Sequence, residues 1–158
     1  MNTYLFYTIF ILHTICILTN YWIVAKFTTS YPFNIGYWTE CDKNSCYSLS
    51  VNDPQTKYIK NARLLCLFNI LLLLFIFILF QYNIHINIIL TLLFIYISLN
   101  IFIIIYWLTT ITSKLKQSGT IYNKIGFSLI LYIILTVFSI FLFIQCMRSI
   151  RSISSTIN

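Results

Sequence analysis

The chain has 158 residues, 59% of them hydrophobic and only 8% charged, with a formal net charge of +7. A soluble domain carries roughly a quarter charged residues, so this composition excludes one and points to an integral membrane protein surrounded by lipid. The excess positive charge lies in loops rather than on a folded soluble surface, so no nucleic-acid partner is expected.

A helix needs about 20 apolar residues to cross the hydrocarbon core. The first predicted span covers residues 4–24, with Thr8, His13, Thr14 and Thr19 as its polar members. His13 has no acidic partner in any span, so it reads as an interior residue bonded to a neighbouring helix rather than as a proton carrier. Cys16 reads as a small packing residue. Tyr21 and Trp22 fall where an interfacial aromatic belt is expected. The run has no basic leading region and no small-residue cleavage site, so a cleavable signal peptide is not expected.

Residues 25–63 form a large loop holding Lys26, Lys43, Lys57, Lys60 and Arg63, together with all three acids, Glu40, Asp42 and Asp53. Tyr47, Leu49 and Val51 alternate with Cys46, Ser48 and Ser50, the period of a strand. Before the cysteines, Tyr37 and Thr39 would share the face of Cys41, with Gly36 and Trp38 on the other. Asp42-Lys43-Asn44-Ser45 are turn formers. The pattern predicts two strands joined by a short hairpin, with Cys41 and Cys46 facing each other across its base. Adjacent strands bring such Cα atoms to roughly 5 Å, within disulfide reach, provided that the loop meets an oxidising compartment. The alternative is two neighbouring free thiols. Two cysteines without a nearby histidine cannot fill a tetrahedral zinc shell, so no metal is expected, and no motif calls for a cofactor.

Further spans are predicted at residues 64–80, 86–108 and 125–147. The connection between the second and third contains no Lys or Arg and is too short for a domain, so these spans are antiparallel neighbours. Tyr106 and Trp107 mark the far interface of the third span. Residues 109–124 form a second loop with Lys114, Lys116, Lys124 and Gly119; residues 148–158 are a short polar, basic tail. Cys146, beside Arg148 and Arg151, is a candidate for palmitoylation, with an unmodified thiol as the alternative. The expected fold is an all-α membrane protein: one domain over residues 1–158, a left-handed four-transmembrane-helix bundle with a small β-sheet in the first loop. No GxxxG pattern occurs, so bulky aliphatic and aromatic contacts should hold the helices together.

Charge and cysteines disagree about orientation. The two larger loops carry eight Lys and Arg, against two for the N-terminus, the short connection and the tail. The positive-inside rule would put the large loops in the cytoplasm. A disulfide hairpin requires the opposite side.

Trp22 at the end of the first span, Gly36-Tyr37-Trp38, Cys41, Cys46 and Arg63 before the second span together resemble the signature of the claudin family, a superfamily that includes peripheral myelin protein, the epithelial membrane proteins and the gamma subunits of calcium channels. The order of elements and the length agree along the whole chain; the specific motif covers Trp22 to Arg63. Ile125-Gly126-Phe127-Ser128 looks most like the peripheral-myelin and epithelial-membrane branch. Departures are Tyr37 where the family usually has Leu, a tighter cysteine spacing, a C-terminus without the terminal hydrophobic residue that a PDZ domain captures, and no N-glycosylation sequon. The resemblance implies cytoplasmic termini, a plasma-membrane location at cell junctions, and both larger loops outside the cell. It further implies that Trp38 wedges toward the helix ends with Arg63 near it; an ordinary interfacial anchor is the alternative for Trp38.

No catalytic constellation occurs, and the spans hold no Asp, Glu, Lys or Arg, so an enzyme is not expected. The expected function is a claudin-like structural and adhesion protein of cell contacts. It would organise membrane or a paracellular barrier by self-association of its outer loops, within one membrane and across two. The other reading is an accessory, gamma-like subunit bound to an ion channel or receptor.

Overall fold

The computed structural model describes residues 3–19, 22–27, 33–36, 38–41, 45–48, 57–82, 85–113 and 120–157. Helix α1 spans Thr3–Leu18 and α2 spans Lys57–Gln81. Helix α3 spans Ile86–Tyr106 and runs on as a π-helical segment, Trp107–Ile111; α4 spans Phe127–Ile157. Three stretches, Ile59–Gln81, Ile86–Ile111 and Phe127–Arg148, are long and apolar enough to cross a membrane, and the protein is a membrane protein on that ground. Helix α1 is apolar too, but its 16 residues reach only about 24 Å, short of the usual hydrocarbon thickness.

Each helix packs on two others: α1 on α2, α2 on α3, α3 on α4, and α4 on α1. The sequence of α2 shows how. Ile59, Ala62, Cys66, Asn69, Leu73 and Ile76 recur at helical spacing and are all buried, while Leu64, Phe68, Leu71, Phe75 and Ile78 form an exposed row. In a membrane that outer row meets lipid. Hydroxyls on exposed or half-buried faces are satisfied locally: Thr8, Thr14, Thr91, Ser98 and Thr109 each donate to the carbonyl four residues back.

Five strands form one antiparallel sheet: β1 (Ile23–Phe27), β2 (Phe33–Ile35), β3 (Thr39–Cys41), β4 (Cys46–Ser48) and β5 (Thr120–Ile125), in the order β4-β3-β2-β1-β5. The sheet joins the end of the bundle where α1 stops and α4 starts. The amide of Trp22 donates to Ile35, and the amide of Gly126 donates to Trp22. Ile23, Ala25 and Ile35 are buried beneath the sheet.

This arrangement corrects the expected first span and the expected second loop together. The helix ends at Leu18, and the apolar residues that follow it become β1. Residues 120–125, read as the end of a loop and the first residue of a span, become β5. The two strands are each other's partners: Ile23 lies opposite Ile125, Val24 opposite Lys124 and Ala25 opposite Asn123. A short apolar run is compatible with a buried strand as well as a helix, and only its partner decides. The tail, expected as a polar appendage, continues α4 as helix to Ile157.

Candidate functional site

The most distinctive chemistry gathers where the sheet meets the bundle. Strands β3 and β4 pair Thr39 with Ser48, Glu40 with Tyr47 and Cys41 with Cys46. Cys41 and Cys46 are joined by a disulfide, with Cα atoms 4.0 Å apart, as the hairpin pattern predicts. Asp42, Lys43 and Asn44 of the turn lie outside the described residues, as do Leu49, Ser50 and Val51. The outer strand β4 is exposed along its length; Tyr47 leaves 62% of its surface open and accepts a hydrogen bond from Ser45 at 2.8 Å.

Gly36 and Trp38 do not continue a strand into Cys41. The chain reverses there: the Gly36 amide donates to Thr39 at 3.0 Å, closing β2 onto β3. Tyr37, inside this reversal, lies outside the described residues. Trp38 is thereby aimed at the end of α1. Its Nε1 donates to the carbonyl of Ile17 at 3.1 Å. The guanidinium of Arg63, a buried side chain, sits 5.3 Å from the centre of the Trp38 ring, within cation–π range.

Trp22 completes the junction. Sequence placed it at the lipid interface, and the structure buries it fully, as it does Trp107, also expected at an interface. The two indoles stack with centroids 5.0 Å apart, and Trp22 also meets the Tyr132 ring at 5.1 Å. The Trp22 Nε1 donates to the carbonyl of Cys16 at 2.8 Å. One residue therefore ties four elements: its indole N–H holds α1, its ring packs on α3 and α4, and its amide bonds β2.

The physical need behind this is plain. A helix leaves its last carbonyls without intrahelical partners, and near a membrane an unsatisfied carbonyl costs several kcal/mol. At the end of α1, the carbonyl of Ile15 receives the Thr19 amide, that of Cys16 the Trp22 indole, and that of Ile17 the Trp38 indole. The Thr19 hydroxyl, 2.6 Å from that of Ser128, links the same end to the start of α4. The two tryptophans of the motif act as side-chain caps, so the first helix can stop short and the chain can turn into a sheet.

Below the junction lies a polar cluster drawn from all four helices. His13 is fully buried, its Nδ1 3.0 Å from the Tyr96 hydroxyl and its Nε2 3.7 Å from the Cys66 sulfur. The expected hydrogen bond from His13 to a neighbouring helix is thus present. Asn69 donates to the Asn100 carbonyl oxygen at 2.8 Å and to the Tyr132 hydroxyl at 3.3 Å. The two asparagines escape a search for charged span residues. Their signal is simply that each is an amide at the centre of an apolar span, where a polar side chain needs a partner.

Cys146, for which palmitoylation and an unmodified thiol are the two readings, is 1% exposed, packed in the core of the bundle rather than open at the lipid surface. Cys16 and Cys66 are buried and form no disulfide. No family model and no curated protein matches the chain.

Proposed function

We propose that the protein is a claudin-like structural protein of the plasma membrane, with its disulfide-bonded sheet outside the cell and its termini in the cytoplasm. It forms cell contacts by association of its sheets with those of neighbouring copies. The observation that carries this reading is the convergence of the motif residues on one junction. Trp22, Gly36, Trp38 and Arg63 fix a rigid sheet to the helix ends, and the Cys41–Cys46 disulfide locks its outer hairpin. Disulfides persist outside the reducing cytoplasm, which favours an external sheet over the orientation given by counting cations. Some of those cations serve the folded sheet and its junction: Lys26 lies in β1, Lys124 in β5, and Arg63 against Trp38. The exposed strand β4 offers an edge of the kind that adds to a neighbouring sheet.

The test is labelling of Cys41 and Cys46 on intact cells with a membrane-impermeant thiol reagent. Reaction only after mild reduction is expected. Free thiols that label only after permeabilisation would put the sheet in the cytoplasm and end the reading. With the sheet outside, co-purification of differently tagged copies is expected. A stoichiometric channel or receptor partner in place of self-association would instead support the accessory-subunit reading.

A further inference from the structure

The two ends of the Cys41–Cys46 disulfide sit in unlike surroundings. Strands β1, β2 and β3 each have a strand on both sides, while β4 lies at the edge and pairs with β3 alone, through three residue pairs. Cys46 belongs to β4, which is exposed along its length; Cys41, on β3, is buried at 8% exposure. A three-residue strand on one neighbour is marginal by itself, so the disulfide is what keeps β4 in register. The Cys41 sulfur also has a polar neighbour. Side chains two apart on a strand share a face, and the Thr39 hydroxyl oxygen lies 3.9 Å from that sulfur. A disulfide sulfur carries no proton, so the hydroxyl is the donor in this contact. The distance is long for a neutral sulfur, and hydrogen bonds to an ionised acceptor are shorter and stronger, so a thiolate on Cys41 would draw the hydroxyl in.

We propose that this disulfide is an exchange site for a dithiol reductant, in which Cys46 takes the attack, Cys41 leaves beside the Thr39 hydroxyl, and the opening releases β4 from the sheet. A thiolate of the reductant attacks the Cys46 sulfur and forms a mixed disulfide with it. The S–S bond to Cys41 breaks, and its electron pair leaves on the Cys41 sulfur, which then takes a proton from water. The reductant's second thiol attacks the mixed disulfide and frees Cys46. Two electrons pass from the dithiol, which ends as a disulfide, to the cystine, which ends as two thiols. Such exchange depends on access to the attacked sulfur and is faster for a leaving thiol of lower pKa. Exposure supplies the first at Cys46, and the Thr39 hydroxyl supplies the second at Cys41. With the bond open, only the three-pair ladder holds β4. That strand is the edge through which copies associate in the proposed function, so reduction would switch those contacts off; this last step alone rests on that reading.

The experiment uses the full chain in lipid nanodiscs, where both membrane faces meet the buffer. The monothiol glutathione is added, the freed cysteine is alkylated at once, and the peptides are mapped by mass. Glutathione on Cys46 with the alkyl group on Cys41 is expected; the reverse pattern, or no adduct at all, would overturn the proposal. Reduction by dithiothreitol should then speed amide exchange at Cys46, Tyr47 and Ser48 while β1 and β5 keep their protection. Unchanged exchange in β4 would overturn the release, and loss of protection across the whole sheet would show a structural bond rather than a local one. Thr39→Val should slow the reaction with glutathione by about threefold and Thr39→Ser should restore it, whereas equal rates in all three chains would remove Thr39 from the site. The mapping on the wild-type chain decides the point of attack even if a variant fails to fold. Failure of these measurements leaves the association of sheets untouched, and failure of the cell-surface labelling leaves the exchange chemistry untouched, so the two readings fall separately.

Discussion

The sheet-side half of the bundle and the opposite half are built by different means. On the sheet side, every helix contributes a group with a directional demand, an amide, a hydroxyl or an imidazole, and the indole N–H groups of Trp22 and Trp38 add to them from the chain between helices. On the far side, Phe6 packs on Phe77 with centroids 5.1 Å apart, and aliphatic side chains fill the remainder. Apolar packing accepts many shapes of similar volume, whereas hydrogen bonds in a low-dielectric interior accept few geometries. The sheet-side half therefore specifies the register of the helices, and the far half supplies contact area.

Mutations can break or sharpen this contrast. Trp22→Ala should have the largest effect, about 3–5 kcal/mol of stability, because it opens a cavity beside Trp107 and removes the shorter of the two hydrogen bonds to the Cys16 carbonyl, leaving that from the Thr19 hydroxyl. Reversible denaturation followed by circular dichroism would measure it; a loss under 1 kcal/mol would show that the junction is not a keystone. In the far half, Leu73→Ala should cost about 2–5 kcal/mol through its cavity. Leu73→Met, close in volume, should cost less than about 1.5 kcal/mol. An equal cost for the two would mean that this half is as shape-specific as the other.

Asn69→Leu should cost about 1–3 kcal/mol by leaving Asn100 with a stranded amide, while N69L/N100L should recover most of that loss. A double-mutant cycle reads the coupling, and additive losses would dissolve the idea of a linked pair. The smallest effect is expected for Trp38→Phe, which keeps a ring beside Arg63 but deletes the donor to Ile17. It should cost about 1 kcal/mol and loosen the end of α1, seen as faster amide exchange there. Unchanged exchange at the end of α1 would show that the indole N–H does not hold that helix.

Sequence alone determined the features whose information is local. The apolar runs of α2, α3 and α4 exceed the length needed to cross a bilayer, and no distant contact is needed to recognise them. The Cys41–Cys46 pairing is equally local, because turn formers separate alternating flanks within a separation of five residues. His13 could be read as an interior hydrogen-bonding residue because nothing in the spans could charge-pair with it. Tertiary structure decided whatever depends on a remote partner. Ile23 belongs to a strand because Ile35 on one side and Ile125, far along the chain, on the other lie beside it, and α1 ends before it, at Leu18. Trp22 is buried because Trp107 and Tyr132 close over it, although its sequence neighbourhood looks like a membrane interface. Asn69 and Asn100 become a hydrogen-bonded pair only when α2 and α3 align in register. Hydropathy records how much a segment prefers to leave water; it does not record which group will meet its hydrogen-bonding demand, and in this protein that second question fixes the junction between sheet and bundle.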